Sequence, residues 1–278
     1  MNGLYVTIRE VYNLHLFINL VQLGCRGVIR MKKLKIQSYD LDITLTPFIN
    51  IVGVIGSGKT MLLRTLINQV HSNDVYLDDK AVSEYDTLFL RKNVAAVLNN
   101  FEFKTSYVKE ELLYYQLKID IDEKQAYKNI TNFVKFFELE DIIESKIEML
   151  SKYEQAYLKI LSLLIIKPRI LGIDDMLTYL NINQKLKIIK FVKNNKITIL
   201  NCTTNPEELL FGTDIIILDH KRVVAYEKSE VILSSNKYLS KIGMKEPFIV
   251  ELSANLNYYD LLRKKFFDMK TLVGELWK

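Results

Sequence analysis

The stretch Gly53-Val54-Ile55-Gly56-Ser57-Gly58-Lys59-Thr60 decides the fold of this 278-residue chain. It fits the pattern G-x-x-x-x-G-K-[ST] at every fixed position. An apolar run over residues 49–55 indicates a buried strand before it, and apolar residues recur at helical spacing over 62–67 after it. In such a turn, backbone N–H groups and the positive end of the helix face the same anion. The stretch therefore predicts a loop that binds phosphate groups.

The composition and net charge disfavour some classes of protein but do not identify one. The net charge is +5 and the pI is near 8.9, with lysines scattered along the chain. That pattern argues against a dedicated nucleic-acid surface and favours a solvated basic surface, with anionic lipid or an acidic partner as the alternative. Cys25 and Cys202 form no metal-binding or redox motif, so we expect Cys202, in an apolar run, to be a buried free thiol. No run is long enough to predict a membrane span.

The order of the predicted elements indicates an α/β fold with a largely parallel sheet. Residues 1–30 lack the strand pattern that begins at Met31 and are assigned to an N-terminal extension. Residues 31–228 are expected to form one nucleotide-binding domain, opened by N-terminal antiparallel strands and carrying an inserted helical subdomain at about 105–150. Residues 229–278 are predicted to be a helical tail. Core strands are expected at residues 49–55, 94–98, 169–173, 197–202 and 214–218, and residues 221–226 are expected to pair with the last of these as a hairpin.

The loop residues have expected roles in holding ATP and Mg²⁺. Lys59 is expected to reach the β- and γ-phosphates, and the Thr60 hydroxyl to ligate Mg²⁺. We expect the whole loop, together with Met61 after it, to contact the nucleotide. A carboxylate at the end of a nearby strand is also required. The strand over 169–173 is followed by Asp174, assigned to Mg²⁺, and Asp175, assigned as the base that polarises the attacking water.

A helix start lies 23 residues before Asp174, at Leu150-Ser151-Lys152-Tyr153-Glu154. Ser151 and Glu154 have the spacing of a capping box, which explains both residues structurally. A functional interpretation stays open because of where the segment stands, between the predicted helical subdomain and the Asp174 strand.

Taken together, these motifs resemble the ATPase of an ABC transporter over residues 31–265. The order is Walker A loop, helical subdomain, signature helix and Walker B strand. Within that family, the chain most resembles the ATPase subunit of energy-coupling-factor (ECF) transporters. Two stretches carry this: residues 103–111 (FKTSYVKEE), and the tail segments at 229–232, 239–243 and 246–252. The resemblance implies that Ser151 meets a γ-phosphate across a head-to-tail dimer, and that Asn99 stands at the Q-loop position.

Several positions depart from that family's pattern. The LSGGQ signature has lost both glycines, to Lys152 and Tyr153. The catalytic glutamate is replaced by the shorter Asp175, and the switch histidine by Thr204. Two further replacements are Asn99 for the Q-loop glutamine and Asn181 for the D-loop aspartate. Tyr39 is either the aromatic residue that stacks on adenine or a core tyrosine.

The resemblance implies a peripheral ATP-binding subunit on the cytoplasmic face of the cell membrane. Its partners would be a second ABC ATPase subunit, a transmembrane T component and a substrate-binding S component, with no nucleic acid. ATP binding and hydrolysis would then drive uptake of a vitamin or metal ion, and weak intrinsic activity is expected. The alternative is a degenerate nucleotide-binding regulator with little hydrolysis of its own. A soluble ABC-type ATPase acting on nucleic acid or ribosomes is a further alternative.

Overall fold

The computed structural model describes residues 32–70 and 74–277. The predicted extension over 1–30 lies outside the described residues, and so does Cys25. The strands in chain order are β1 (Lys33–Ile36), β2 (Leu41–Thr44), β3 (Phe48–Gly53), β4 (Val75–Leu77), β5 (Lys80–Ala81), β6 (Val94–Val97), β7 (Ile170–Asp174), β8 (Thr198–Cys202), β9 (Asp214–Asp219) and β10 (Arg222–Lys228).

The helices divide among the core, the segment between β6 and β7, and the C-terminal tail. They are α1 (Lys59–Leu66), α2 (Thr87–Asn93), α3 (Val108–Leu117), α4 (Glu123–Phe137), α5 (Lys152–Leu164), α6 (Ile182–Asn194), α7 (Ser229–Ser234), α8 (Asn236–Lys241), α9 (Phe248–Tyr258) and α10 (Met269–Leu276). A 3₁₀ helix covers Pro206–Phe211. No helix in the described part of the chain is both long and apolar enough to cross a bilayer.

Two sheets form the scaffold of the described part of the chain, and they confirm the predicted α/β class. The larger has the strand order β10-β9-β3-β8-β7-β6, in which all neighbours are parallel except the β9–β10 hairpin. The smaller, of order β2-β1-β4-β5, is antiparallel. The prediction for residues 49–55 was too long at its C-terminal end. The strand stops at Gly53, because the chain must then turn to form the loop before α1.

Among residues 32–70 and 74–277, three apolar cores hold these layers together. One lies between the large sheet and helices α3 to α6, and a second fills the space between the two sheets around α1. In the third, the tail helices pack against Val52, Ile215 and Ile217. Since Val52 directly precedes the glycine-rich loop, this third core brings the tail next to that loop.

The carboxyl ends of the parallel strands meet at one edge of the large sheet. Ile51 of β3 pairs with Cys202 of β8, and Cys202 in turn pairs with Asp174 of β7. The loops that follow these three strands therefore leave the sheet side by side, where open α/β sheets bind their ligands. Cys202 is a buried free thiol, as predicted, and burial raises the pKa of its sulfhydryl well above the ordinary value.

Candidate functional site: the glycine-rich loop and its carboxylate

The glycine-rich loop runs from the end of β3 to the start of α1 and needs glycine at its crowded points. Gly58 has a φ of 104°, a conformation that residues with a Cβ rarely adopt. A Cβ at Gly58 would lie 2.8 Å from the Tyr39 hydroxyl, and one at Gly53 would lie 2.2 Å from the Leu218 carbonyl oxygen. The loop can take this path between the sheet and α1 only with glycine at these two positions.

Lys59 turns its ammonium group back into the loop. It is 8% exposed, and its Nζ donates to the carbonyl oxygens of Gly53 at 2.8 Å and Val54 at 3.2 Å. A buried cation is therefore held in the concave side of the loop by these two backbone carbonyls and by the Ser57 hydroxyl at 3.5 Å, without a carboxylate in bonding distance among the described residues. Such an arrangement is suited to an incoming polyanion, whose negative charge would complete the neutralisation.

Thr60 and Asp174 bring the loop and the end of β7 together. The Thr60 hydroxyl donates to Asp174 Oδ2 at 2.8 Å, across 114 residues of sequence. Burial raises the pKa of Asp174, whereas the Thr60 hydroxyl, the charge of Lys59 and the Asn99 backbone N–H act to lower it. One hydroxyl and one carboxylate thus stand at the N-terminus of α1, and hard oxygen donors of this kind are what Mg²⁺ prefers.

Asp175 and Thr204 also lie in contact. Asp175 Oδ1 accepts hydrogen bonds from the Thr204 backbone N–H at 2.8 Å and from the Thr204 hydroxyl at 3.1 Å. Asp175 has a φ of 54°, and its own N–H donates to the Cys202 carbonyl oxygen at 2.8 Å. The turn after β7 is thereby tied to the end of β8, which sets the carboxylate of Asp175 beside Asp174.

Asn99 approaches the site through its backbone. It follows β6 in a turn, its side chain is exposed, and its backbone N–H acts to lower the pKa of Asp174. The structure therefore brings Lys59, Thr60, Asp174, Asp175 and Thr204 together with the main chain of Asn99. The exposed amide of Asn99 has no hydrogen-bond partner within the described ranges.

Ser151 lies apart from this group and caps α5. Its Oγ accepts from the Glu154 N–H at 3.3 Å and donates to Glu154 Oε2 at 2.6 Å, while the Ser151 N–H donates to the same carboxylate at 2.8 Å. The predicted capping box is present. Lys152 and Tyr153 fill the exposed first turn, where Tyr153 is 65% exposed.

Two other positions that were assigned from the resemblance have structural explanations. Tyr39 is buried, and its hydroxyl donates to the Gly58 carbonyl oxygen at 3.0 Å, so it is a core residue with no ring face open to a base. Asn181 caps α6, since its side chain accepts from the Gln184 N–H at 2.9 Å. An asparagine is as good a helix cap as an aspartate.

The C-terminal tail contributes one wall of a cavity that adjoins the site, which the sequence did not indicate. Residues 242–245 line one cavity together with Gly53, Val54, Ile55, Thr204 and Pro206. The two walls lie far apart in the chain, one before α1 and the other after α8. No short motif relates them, and only the packing of the tail on the sheet reveals the contact.

The capping geometry of Ser151 predicts the result of a substitution. Ser151→Ala removes the hydroxyl but leaves Glu154 in place, and we expect the free energy of unfolding to fall by about 1 kcal/mol. Chemical denaturation of the two proteins measures this. Ser151→Asp supplies an equivalent cap and should recover most of the loss. An unchanged free energy for Ser151→Ala would contradict the capping role.

Comparisons with known proteins give the family of this chain. Residues 36–178 match the family described as ABC transporter. An energy-coupling factor transporter ATP-binding protein of Onion yellows phytoplasma is 22% identical over 86% of this chain and 86% of its own length. One of Oenococcus oeni is 24% identical over 87% of this chain and 91% of its own.

Solved structures share the fold. One is cbiO1 of Clostridium perfringens, described as part of the ABC transporter complex cbiONQ. It aligns with a TM-score of 0.65 at 16% identity and covers 77% of this chain and 95% of its own. A nucleotide-free ATP-binding cassette of an ABC transporter aligns with a TM-score of 0.63 at 18% identity, over 78% of this chain and 100% of its own. With the family match spanning more than half of the chain, over β3, the glycine-rich loop and the β7 carboxylates, this protein belongs to the ABC transporter family of ATP-binding subunits.

Proposed function

We propose that this chain is the ATP-binding and ATP-hydrolysing subunit of an ECF-type ABC importer. The observation that carries the proposal is the Thr60–Asp174 contact, which unites the phosphate loop with the carboxylate that such a site requires. The names of the relatives support the ECF assignment. In this account, ATP binding and hydrolysis drive uptake of a vitamin or a metal ion through membrane partners.

The residues at the loop fit Mg-ATP. Backbone N–H groups of the loop and the ammonium of Lys59 would bind the phosphates, and Met61 lies one residue beyond Thr60 along α1. Thr60 and Asp174 would hold the metal. When bound, Mg²⁺ supplies positive charge that offsets the charge on the phosphates. Two observations support this fit. The loop has no room for a Cβ at Gly58, and the buried ammonium of Lys59 has no carboxylate partner among the described residues.

Asp175 is proposed as the base that orients water, with Thr204 as its support. Two hydrogen bonds from Thr204 fix one carboxylate oxygen, and within residues 32–70 and 74–277 the other oxygen accepts no hydrogen bond and is available. A neutral threonine in this place supplies no cation for a transferring phosphate. We therefore propose that intrinsic hydrolysis is weak. Asn99 would act on the site through its backbone N–H, which acts to lower the pKa of Asp174.

A second ABC ATPase subunit is proposed as the partner across the nucleotide. The surface around Ser151 carries exposed apolar side chains, Met149 at 76% and Tyr153 at 65%, and Tyr179 near β7 is 49% exposed. Large exposed apolar groups of this kind are typical of interaction surfaces. Ser151 would face the partner's nucleotide from the N-terminus of α5, a helix end suited to an anion.

The assembly is proposed to sit on the cytoplasmic face of the cell membrane, bound to a transmembrane T component and a substrate-binding S component. The test is affinity purification of the tagged chain from detergent-solubilised membranes, followed by identification of the copurifying proteins. We expect a second ABC ATPase and at least one polytopic membrane protein. Recovery of the chain alone, or with nucleic acid or ribosomes, would contradict the proposal. A soluble extract treated in the same way is the control.

A further inference from the structure

A cavity of about 610 Å³ joins the phosphate loop to the C-terminal tail. One wall consists of Gly53, Val54 and Ile55 from the loop, with Thr204 and Pro206 after β8. The opposite wall consists of residues 242–245. Ile55, on the first wall, is 96% exposed, so the loop presents an open edge to the tail. The tail is therefore placed to contact a ligand of the loop.

The segment over 242–245 is fixed at both ends. On its N-terminal side, Gly243 takes a φ of 65° and the Met244 N–H donates to the Leu239 carbonyl oxygen at 3.0 Å, which closes α8. On its C-terminal side, Glu207 Oε1 accepts the N–H of Phe248, the first residue of α9, at 2.6 Å. Because Glu207 lies three residues after Thr204, this bond ties the tail to the loop that carries Thr204.

Lys245 carries the one charge among the described residues that line the cavity. Its neighbour Glu246 is engaged elsewhere, in an ion pair with Lys265 at 3.0 Å. Lys245 is exposed, and its four-carbon stem gives the ammonium group freedom to reach across the cavity. A cation facing the edge of a phosphate-binding loop is placed to attract the same polyanion.

The geometry also indicates which phosphate lies nearest. Lysine and Mg²⁺ in such loops act on the β- and γ-phosphates. The proposed metal residues Thr60 and Asp174 therefore mark the terminal end of the triphosphate. Asp175 is next to Asp174 in the chain and is bonded to Thr204, and Thr204 lines the cavity. A triphosphate held by these residues would therefore have its terminal phosphate on the side from which the tail approaches.

We propose that Lys245 of the C-terminal tail binds the terminal phosphate of ATP and supplies, beside Thr204, the positive charge that threonine lacks. This inference rests on the proposed function, since it requires ATP in the glycine-rich loop. It makes the tail part of the nucleotide site and gives it a way to distinguish ATP from ADP. Glu207 acts as a positioning residue, because it holds the tail where Lys245 reaches the cavity.

The test compares ATP and ADP affinities of the full chain in the presence of Mg²⁺, measured by calorimetry. Lys245→Ala should weaken ATP binding by about fivefold, the effect of an exposed charge contact of about 1 kcal/mol, and leave ADP binding unchanged. Lys245→Arg should retain the preference for ATP. Lys241→Ala is the matched control, because it removes an exposed lysine at the end of α8 that does not line the cavity.

Substitution of Glu207 gives a second, independent test of the proposal. Glu207→Ala removes the acceptor for the Phe248 N–H and should lower the ATP-to-ADP affinity ratio as much as Lys245→Ala does. The double variant should show no further loss, since both changes act through one contact. Glu207→Gln keeps an acceptor oxygen and should retain the ratio. A purely structural role for Glu207 would change the melting temperature without changing the ratio.

The possible outcomes distinguish a failure of the inference about Lys245 from a failure of the proposed function. If the wild-type chain binds ATP and Lys245→Ala keeps the wild-type ratio, the inference about the tail is wrong and the nucleotide site stands. An equal loss of ATP and ADP affinity would likewise overturn it, because Lys245 would then act on the fold rather than on the terminal phosphate. If the wild-type chain binds neither nucleotide, the proposed function fails as well.

Discussion

The isolated chain is expected to release phosphate from ATP only slowly, and brisk turnover should appear only with its ATPase partner. Asp175 is one methylene group shorter than the glutamate of the family pattern, and a base must lie within about 2.6–3.2 Å of the proton that it abstracts. One of its oxygens is already engaged by Thr204. Losing a positioned base or an electrostatic contact typically costs about 10²-fold in rate or more.

The measurement is steady-state phosphate release by the isolated chain and then by the coexpressed complex. Most activity of the complex should arise at the partner's phosphate loop, so Lys59→Ala in this chain should leave much of it. Asp175→Glu is the matched gain-of-function control and should raise the rate if the short acid is limiting. Turnover of several per second by the isolated chain would contradict this division of labour. Family membership supports hydrolysis in general, and the comparisons give no support to a regulator without it.

The second large effect is expected at Lys59. Lys59→Ala removes the buried cation whose Nζ lies 2.8 Å from the Gly53 carbonyl oxygen in the concave side of the loop. We expect ATP affinity to fall by more than about 10-fold, or 1.4 kcal/mol. Lys59→Met keeps most of the side-chain volume and should lose affinity to the same extent, which assigns the loss to charge rather than to packing.

Equilibrium binding of a fluorescent ATP analogue measures this effect, with melting temperatures as the check on folding. Lys35→Ala is the matched control, since Lys35 is an exposed lysine of β1 with no hydrogen bond or ion pair to the loop in the described structure. If the Lys59→Ala chain is folded and binds ATP as tightly as the wild type, Lys59 does not contribute to nucleotide binding.

The fold and the centre of the site were largely predictable because their signals are local. The pattern from Gly53 to Thr60 fixes a strand, a turn and a helix, and a strand followed by Asp174 and Asp175 is readable over six residues. The capping box at Ser151 and Glu154 was predicted for the same reason, since its spacing lies within one helical turn.

The remaining features depend on contacts between distant segments. Tyr39 is close to the loop in sequence, and only the sheet packing shows that it is buried and bonded to Gly58. The joining of Thr204 to Asp175 follows from the register of β7 on β8, which no spacing reveals. The approach of Lys245 depends on an apolar core shared by the tail and β3.

A buried polar cluster beneath the site was also not predictable from the sequence, because it depends on contacts between distant segments. Asn201 donates to Asn50 Oδ1 at 3.0 Å and to Glu208 Oε2 at 3.0 Å, and Lys185 forms an ion pair with Glu208 at 3.3 Å. In the sequence, Asn50 and Asn201 interrupt apolar strands with no visible partner. Their explanation requires β3, β8, α6 and the 3₁₀ helix to be assembled, because buried polar groups need hydrogen bonds from other elements.

Calorimetric titration of the wild-type chain with ATP, with and without Mg²⁺, tests the central claim most directly. The Thr60–Asp174 pair predicts one saturable site per chain, whose affinity for ATP rises when Mg²⁺ is present and loses that increase in Asp174→Asn. Absence of saturable ATP binding by the folded chain, or an affinity that neither Mg²⁺ nor Asp174→Asn changes, would contradict the account.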